Sequence, residues 1–598
     1  MDSHLFEHQP PRQTGAHDWC AYAQVVVNRS LDREEGLTYG VAPEMSDLRV
    51  GELVRVPLGR GGRRAEGVVV RISPTPESDL DPARVKAVGE RLNTGYPKSL
   101  IELGRWISRY YCCPIGMVLT SMTPASVRRG TGRHEGVALE PTGAEPIDTL
   151  PKRTRETWER IHDARIDWPT SPDALRESIG ERTKATINRL VRTGLLREVR
   201  TSAVRARPLD VARSPLDARA PELTDDQRRA VDSLRAHLGA FHAALLFGVT
   251  GSGKTEVYLR VLADVIERGQ SGIVLVPEIS LTPQTVSRFI ERFGEQSVAV
   301  LHSGLTGAQR HREWARIASG GARIVVGARS AVFAPFGESI GRPGVIIVDE
   351  EHDTSYKQDS LPRYNARDVA VKRAQIEGCP VILGSATPSL ESWRNASRGA
   401  YDLLRLPGRV GGGRLPKVRI VDLAEERRER GDASYALGPT LRGALRRTLD
   451  RGARAMLLLN RRGFASYCCC ADASCGWVLG CEMCDSAMVY HRSGASRETA
   501  RGLPKGYVRC HHCLAQQLLP KQCPRCGKRT IALGTGTQRV EEELARIFPE
   551  LSESGAMARV DSDAMRSARD YFRVLEDFRD GRTSLLLGTQ MIAKGLVF

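Results

Sequence analysis

At 598 residues the chain is too long for one hydrophobic core, which excludes a single small domain. It is 41% hydrophobic and 27% charged, with no apolar run of about eighteen residues and no apolar segment near its start, so neither a membrane span nor a secretory signal is read. A cytoplasmic protein is expected, and the formal net charge of +17 favours a polyanionic partner such as nucleic acid, although an arginine-rich basic background gives the same sign.

In chain order, residues 1–20 are polar, rich in His, Pro and Gln, and predict a disordered tail. From Val25, "AQVVVNRS", "LTYGVAP", "ELVRVPLG" and "AEGVVVRI" are short β-like runs between Gly, Asp and Pro turns, so residues 21–124 predict a small barrel or curled sheet. The domain closes with the helical pattern "SLIELGRWISRYYCCPIGMVL". Residues 125–205 contain "SPDALRESIGERTKATINRLVRTGLLREV", which reads as helix, turn, helix and β-run. That is a winged-helix pattern, and an ordinary helical linker domain fits it too. Residues 206–222 are Pro- and Arg-rich and predict a linker.

Over residues 223–406 buried β-runs alternate with amphipathic helices: "AALLFGV", "SGIVLVPE", "QSVAVLHS", "ARIVVGAR", "GVIIVDEE" and "PVILGSA". This predicts a parallel sheet covered on both faces, a RecA-like lobe. Residues 407–440 read as a linker. A second α/β unit, 441–467 and 527–598, is interrupted by a Cys-rich insert at 468–526 and ends at "TSLLLGTQMIAKGLVF". The fold class expected is therefore multidomain α/β. It has two RecA-like lobes, the second incomplete, with a zinc-binding insert, and a barrel-like domain and a winged helix precede them.

The chemistry-bearing motif is "GVTGSGKT", Gly248 to Thr255, between an apolar strand and a helix, the context that GxxxxGK[ST] requires. Gly248, Gly251, Ser252 and Gly253 let backbone N–H groups curl around a phosphate. Lys254 reaches the β- and γ-phosphates of ATP, and the Thr255 hydroxyl meets Mg²⁺. The strand "GVIIVDEEH" delivers Asp349, suited to hold Mg²⁺, and Glu350, suited to orient and deprotonate the attacking water. "GSATPS", Gly384 to Ser389, follows another apolar strand and suits coupling of the nucleotide site to a neighbouring surface. A kinase uses the same phosphate loop, but it needs neither this size and charge nor two repeated α/β units.

Ten of the 14 cysteines lie between Cys468 and Cys526. Cys481/Cys484, Cys510/Cys513 and Cys523/Cys526 are CxxC pairs, each able to give two thiolates to a tetrahedral Zn²⁺. Cys475 completes a fourth pair with Cys468, Cys469 or Cys470, and Cys470 is carried forward as the ligand. Eight thiolates make two Cys₄ sites of a structural kind. His491, His511 and His512 are alternative ligands that read better as exposed or packing residues. Arg329 and the stretch Tyr356-Lys357-Gln358 are candidates for DNA contact, the stretch fitting a packed interlobe loop equally well, and Arg461 and Arg462 suit phosphate or interlobe contact.

Taken together, "GVTGSGKTEVY", "LVPEISLTPQ", "GARSAVFAPF", "IIVDEEHDTSYKQ", "LGSATPSLES", "LLNRRGFA", "GTGTQRVEEEL", "GTQMIAKG" and the eight-cysteine insert resemble the bacterial primosomal protein N-prime family, replication-restart helicases of superfamily 2. The resemblance runs from about residue 21 to the end. It implies ATP-driven 3′–5′ movement on single-stranded DNA, recognition of branched DNA at abandoned forks, and reloading of the replicative helicase. The implied partners are primosome proteins and the single-stranded-DNA-binding protein, and a monomer is the expected state. It also implies that Cys470, Cys475, Cys523 and Cys526 hold one zinc, and Cys481, Cys484, Cys510 and Cys513 the other. The positions matching the family's pocket for a nascent 3′ end are Leu37, Thr38, Gly51 and Lys86.

The chain departs from the family pattern in several places. Thr38 stands where the family has an Asp that contacts the terminal nucleotide. Cys470 and Cys475 are spaced Cx₄C, and the segment between Cys484 and Cys510 is longer than usual. At Leu596-Val597-Phe598 the chain stops where the family continues into an arginine-bearing motif that faces the ATP site. Weak or absent helicase activity is expected for such a product. A fork-binding scaffold without turnover is the alternative, and a double-stranded translocase of another kind is disfavoured by the zinc insert.

Overall fold

The structure, a computed structural model, describes residues 19–29, 36–59, 63–76, 80–81, 84–144, 150–164, 166, 168–180, 184–204, 206, 221–277, 283–337, 341–412, 416–423, 425–426, 437–459, 467–484, 486–491, 507–510, 512–533, 537–561, 564–565, 568–589 and 592. Most of the expected tail, most of the 206–222 linker, Arg461, Arg462, His511 and Leu596-Val597-Phe598 lie outside these residues, as does the side chain of His491. The chain forms two compact units, Met1–Gly413 and Arg414–Phe598.

The first unit opens with an antiparallel sheet of β1 (Ala21–Val27), β2 (Leu37–Val41), β3 (Glu52–Leu58), β4 (Arg63–Ser73) and β5 (Glu90–Gly95), in the order β2-β1-β4-β3-β5. Period-two alternation explains why β1 is apolar almost throughout. Ala23, Val25 and Val27 enter a core inside the sheet with Val54, Val56 and Val69. Val26 faces the other way, with Leu53 and Val68, toward α1 (Lys98–Tyr110) and α2 (Ile115–Met122). The segment before β5 closes the sheet on itself: the Gly40 N–H of β2 donates to Lys86 O, and Gly89 N–H donates to Arg55 O of β3. Helix α2 lies so near β1 that a Cβ on Gly116 would stand 2.1 Å from Val27 O.

After a short helix, α3 (Ala125–Arg128), strands β6 (Arg133–Pro141) and β7 (Leu196–Val204) pair antiparallel. They bracket α4 (Lys152–Asp163), α5 (Pro172–Ser178) and α6 (Lys184–Arg192), which share a small core built on Trp158, Leu175 and Leu190.

The largest layer is a seven-stranded sheet. Its strands are β8 (His242–Gly248), β9 (Ser271–Leu275), β10 (Val298–Leu301), β11 (Ile324–Gly327), β12 (Pro343–Asp349), β13 (Pro380–Ser385) and β14 (Asp402–Leu406). All neighbours are parallel, in the order β10-β11-β9-β12-β13-β8-β14. Both faces are covered, which is why its strands read as unbroken apolar runs. On β8, Leu245 joins the core cluster that also holds residues of α1, α2 and the helix Ala366–Glu377, while Ala244 and Leu246 join Val257 and Leu262 in the cluster of the opposite face.

One buried cation stands out in this unit. Arg373 in the helix Ala366–Glu377 is fully buried, donating to Val332 O at 2.5 Å and Ala334 O at 2.8 Å, with Glu377 3.5 Å away.

The second unit holds a three-stranded parallel sheet of Ala455–Leu458, Leu585–Gly588 and Met557–Val560, the Leu585–Gly588 strand being central. Helices Pro439–Asp450 and Thr537–Ile547 contribute to its core. Between the first strand and the later elements lies a cysteine-rich module made of one strand pair and one three-stranded meander.

Replacing Arg373 by Ala is expected to lower stability by about 3 kcal/mol or more, because it strands two carbonyls and a buried carboxylate. Arg373→Lys should recover only part of this, since an ammonium lacks the planar fork. Thermal and urea unfolding of the two variants measure it.

Candidate active site and metal centres

The parallel arrangement carries three separate sequence motifs to one edge of the sheet. Strand β13 lies between β8 and β12, so the loop after β8, the acidic pair at the end of β12 and Ser385 at the end of β13 emerge side by side. The loop Gly248–Thr255 leads into α8 (Lys254–Glu267). Gly251 and Gly253 have φ of +81° and +78°, a region only glycine enters freely. Gly253 caps the helix, and a Cβ there would meet Gln227 Nε2 at 2.2 Å. The concave backbone and the helix N-terminus form an anion cradle. Buried Lys254 donates to Gly248 O at 3.0 Å, and the buried Ser252 hydroxyl has no hydrogen-bond partner among the described residues.

Asp349 accepts a hydrogen bond from the Tyr258 hydroxyl at 2.9 Å. Burial, followed by the charge of Glu350, pushes its carboxyl up to about 6, while Tyr258 and the charge of Lys254 pull in the opposite direction. Burial also holds the Tyr258 phenol well above its ordinary value, so it remains a donor. Gly384 makes that contact possible: a Cβ there would stand 1.6 Å from the Tyr258 hydroxyl. Glu350 has φ of +45°, a strained position for a non-glycine residue, and His352 Nδ1 is 3.6 Å from its carboxylate.

Two links join the acidic strand end to the strand end beside it. His352 Nδ1 lies 2.8 Å from Ser385 Oγ, which also accepts the Thr387 N–H at 2.9 Å. Glu351, fully enclosed, accepts from Ser389 N–H at 2.7 Å, Ser389 Oγ at 2.9 Å and Ser392 Oγ at 2.8 Å, with Arg367 at 3.3 Å.

Lys254, Asp349 and Glu350 thus meet at one site. Glu351, Tyr258, Arg367 and Gln227 are parts of it that motif reading passed over. Gln227 Nε2 donates to Ser252 O at 2.9 Å from a helix start capped reciprocally with Thr224. The sequence signal available was the Thr-x-x-Gln capping box at 224–227, ahead of β8.

Of the two readings open for Tyr356, DNA stacking and packing within the loop, its position fits packing. It is 1% exposed, and its hydroxyl donates to Asp349 O at 2.6 Å. Arg329 is committed to backbone carbonyls, donating to Ser355 O at 3.1 Å and Lys357 O at 2.5 Å. Lys357 is exposed.

Of the four positions matched to a 3′-end pocket, Leu37 and Thr38 lie on β2, which Gly40 bonds to the Lys86 backbone. Gly51 lies across the sheet, before β3. Its φ is +102°, and a Cβ would meet Tyr96 O at 2.1 Å, so backbone geometry alone accounts for a glycine there.

In the second unit, eight thiols form two groups of four: Cys470, Cys475, Cys523 and Cys526, and Cys481, Cys484, Cys510 and Cys513. The sulfurs in each group all lie within 4.8 Å of one another. Close pairs are Cys470–Cys526 at 3.3 Å, Cys475–Cys523 at 3.8 Å, and Cys481–Cys513 and Cys484–Cys510 at 3.4 Å each. These are too long for disulfides. They approach the edge of about 3.8 Å that a tetrahedron of sulfurs about 2.3 Å from zinc requires. The donor set and spacing fit two Zn²⁺ ions. Cys468 instead joins the apolar cluster of Leu479 and Val508.

The sequence was compared with those of known proteins. Residues 224–396 match the DEAD/DEAH box helicase family, and residues 24–124 match the family described as 3′DNA-binding domain (3′BD). A replication restart protein PriA of Bacillus subtilis (strain 168) is 44% identical over 422 residues, 70% of this chain and 49% of that protein. The one from Synechocystis sp. is 34% identical over 96% of this chain and 76% of that protein. The chain thus spans about half of the first relative and three quarters of the second. Among solved structures, the DUF1998 helicase MrfA bound to DNA matches 77% of this chain at 12% identity and a TM-score of 0.35, a likeness too slight to bear on function.

Two outcomes are expected from this geometry. Gly384→Ala should lower the unfolding temperature by the equivalent of about 1–3 kcal/mol, since the Tyr258 ring must leave its place; calorimetry of the variant reads this. Metal analysis of the purified chain should give two zinc ions, falling to one in either Cys475→Ser or Cys484→Ser.

Proposed function

The chain belongs to the replication restart protein PriA family, and from that premise we propose that it is an ATP-driven 3′–5′ DNA helicase acting at stalled or abandoned replication forks. The observation that carries the reading is the meeting of Lys254, Asp349 and Glu350 at one edge of a parallel sheet, tied through Glu351 to the neighbouring strand end. In this reading residues 223–406 are a RecA-like lobe, 441–467 and 527–598 belong to a second, and 125–205 form a winged helix. Residues 21–124 bind a DNA 3′ end, and 468–526 are a zinc module that presents a surface.

The phosphates of ATP sit in the cradle Gly248–Thr255, where backbone N–H groups and the N-terminus of α8 meet their charge. Lys254 exchanges its bond to Gly248 O for the β- and γ-phosphates. Thr255 and Asp349 are the groups suited to hold Mg²⁺, which neutralises charge on the transferred phosphoryl group when bound. Glu350 orients the attacking water and accepts its proton. The bonds from Glu351 to Ser389 and Ser392, and from His352 to Ser385, give any shift at the phosphate site a path to the surface after β13. The partners in this reading are branched and single-stranded DNA, primosome proteins and the single-stranded-DNA-binding protein. The protein acts as a cytoplasmic monomer.

The test is ATP hydrolysis by the purified chain with and without forked DNA. Turnover stimulated by DNA is expected. It should fall by about a hundredfold or more in both Lys254→Ala and Glu350→Gln, with nucleotide binding kept in the second. Absence of turnover with fork binding intact would replace the helicase reading by a fork-binding scaffold.

A further inference from the structure

The loop after the acidic motif contains two tyrosines, and both are buried. Tyr356 and Tyr364 are 1% and 2% exposed. The exposed ring beside that loop comes from a different part of the chain, the end of α1. Tyr110, its last residue, is 61% exposed. Its ring stacks on Trp106, with centroids 4.8 Å apart and planes 18° from parallel. Tyr111 stands edge-on to both, 4.9 Å from Tyr110 at 78° and 6.1 Å from Trp106 at 87°.

The cluster is anchored from both sides. Trp106 and Tyr111 pack against the main core. The Tyr111 hydroxyl accepts the Asn365 N–H at 3.1 Å, and the Lys357 ammonium lies 5.3 Å from the centroid of its ring. One face of Tyr110 is taken by the indole, and water meets much of the rest.

We propose that Trp106 and Tyr110, flanked by Lys357, form a stacking platform for the bases of single-stranded DNA, a reading that rests on the DNA function proposed above. A base laid on the open face of Tyr110 becomes the next layer of a stack whose first two rings are already aligned, so little rotamer freedom is lost on binding. Every base has a π-face, so the platform takes any sequence. The phosphates on either side of that base need cations. Lys357 and Arg363 on the loop and Arg109 on α1 are exposed, against the acids Glu102 and Asp359. This charge balance favours a nucleic-acid strand over an apolar peptide. The platform is separate from the β2 positions matched to a 3′-end pocket, because it lies on a helix and abuts the loop that Tyr356 fastens to Asp349.

The experiment uses the full chain and fluorescence anisotropy with two labelled strands: oligo(dT), and an abasic strand of the same length that keeps the phosphates without the bases. Tyr110→Ala is expected to weaken oligo(dT) binding about tenfold while leaving the abasic strand unchanged. Tyr110→Phe should bind both like the parent, and DNA-free ATP turnover should be the same in all three. Equal losses on both strands, no loss on oligo(dT), or a Phe variant as weak as Ala would each overturn the platform. A parent chain that binds neither strand would overturn the DNA reading itself, a separate outcome.

Discussion

Glu351 is the contact on which the first unit's chemistry depends. A carboxylate with no exposed surface would ordinarily carry a large desolvation cost. Here a backbone N–H, two serine hydroxyls and the Arg367 guanidinium surround it. Its neighbour Asp349 lies within reach of the charge of Lys254, while its own bonds run to the residues after β13. The chain therefore has little freedom to reposition the acidic pair without breaking a buried, charge-assisted network. That rigidity fits the positive φ at which Glu350 is held.

The second unit solves a different problem. Its cysteine module has little apolar interior. Its core cluster is a handful of residues, among them the thiol carbons of Cys468, Cys481 and Cys510. Short strands of two to four residues, such as Gln516–Gln517 and Tyr467–Cys470, do not bury enough surface to order themselves. Two tetrahedral ions, held by the two groups of four thiols, would supply that order.

How far the sequence could be read depended on whether the chemistry was local. Gly248–Thr255 and Asp349-Glu350 are contiguous strings whose spacing encodes their geometry, and the CxxC pairs are legible for the same reason. The choice among three consecutive cysteines was less so. Strand alternation turns Cys469 to the opposite side from Cys468 and Cys470, but only tertiary distance brings Cys470 rather than Cys468 beside Cys526. Tyr356 could be read either way, because an aromatic residue between polar and charged ones suits surface and packed loop alike. Its hydroxyl bonds a carbonyl seven positions earlier, which no periodicity announces. Tyr258 and Gly384 form a pair more than a hundred residues apart, and neither signals the other along the chain.

The nested order of the thiols has a further consequence. The inner group, Cys481, Cys484, Cys510 and Cys513, lies between the two halves of the outer one in the chain. Whatever the length of chain between Cys484 and Cys510, its ends are fixed by one ion, and that ion's module is fixed by the next. Closing a longer loop costs only a slowly growing, logarithmic term. Insertions there would leave the flanking strands where they are. The chain between the strands Val489–His491 and Tyr507–Arg509 is thus a place where evolution can lengthen the chain, or an experimenter can splice in a reporter domain, without the sheet of the second unit registering the change.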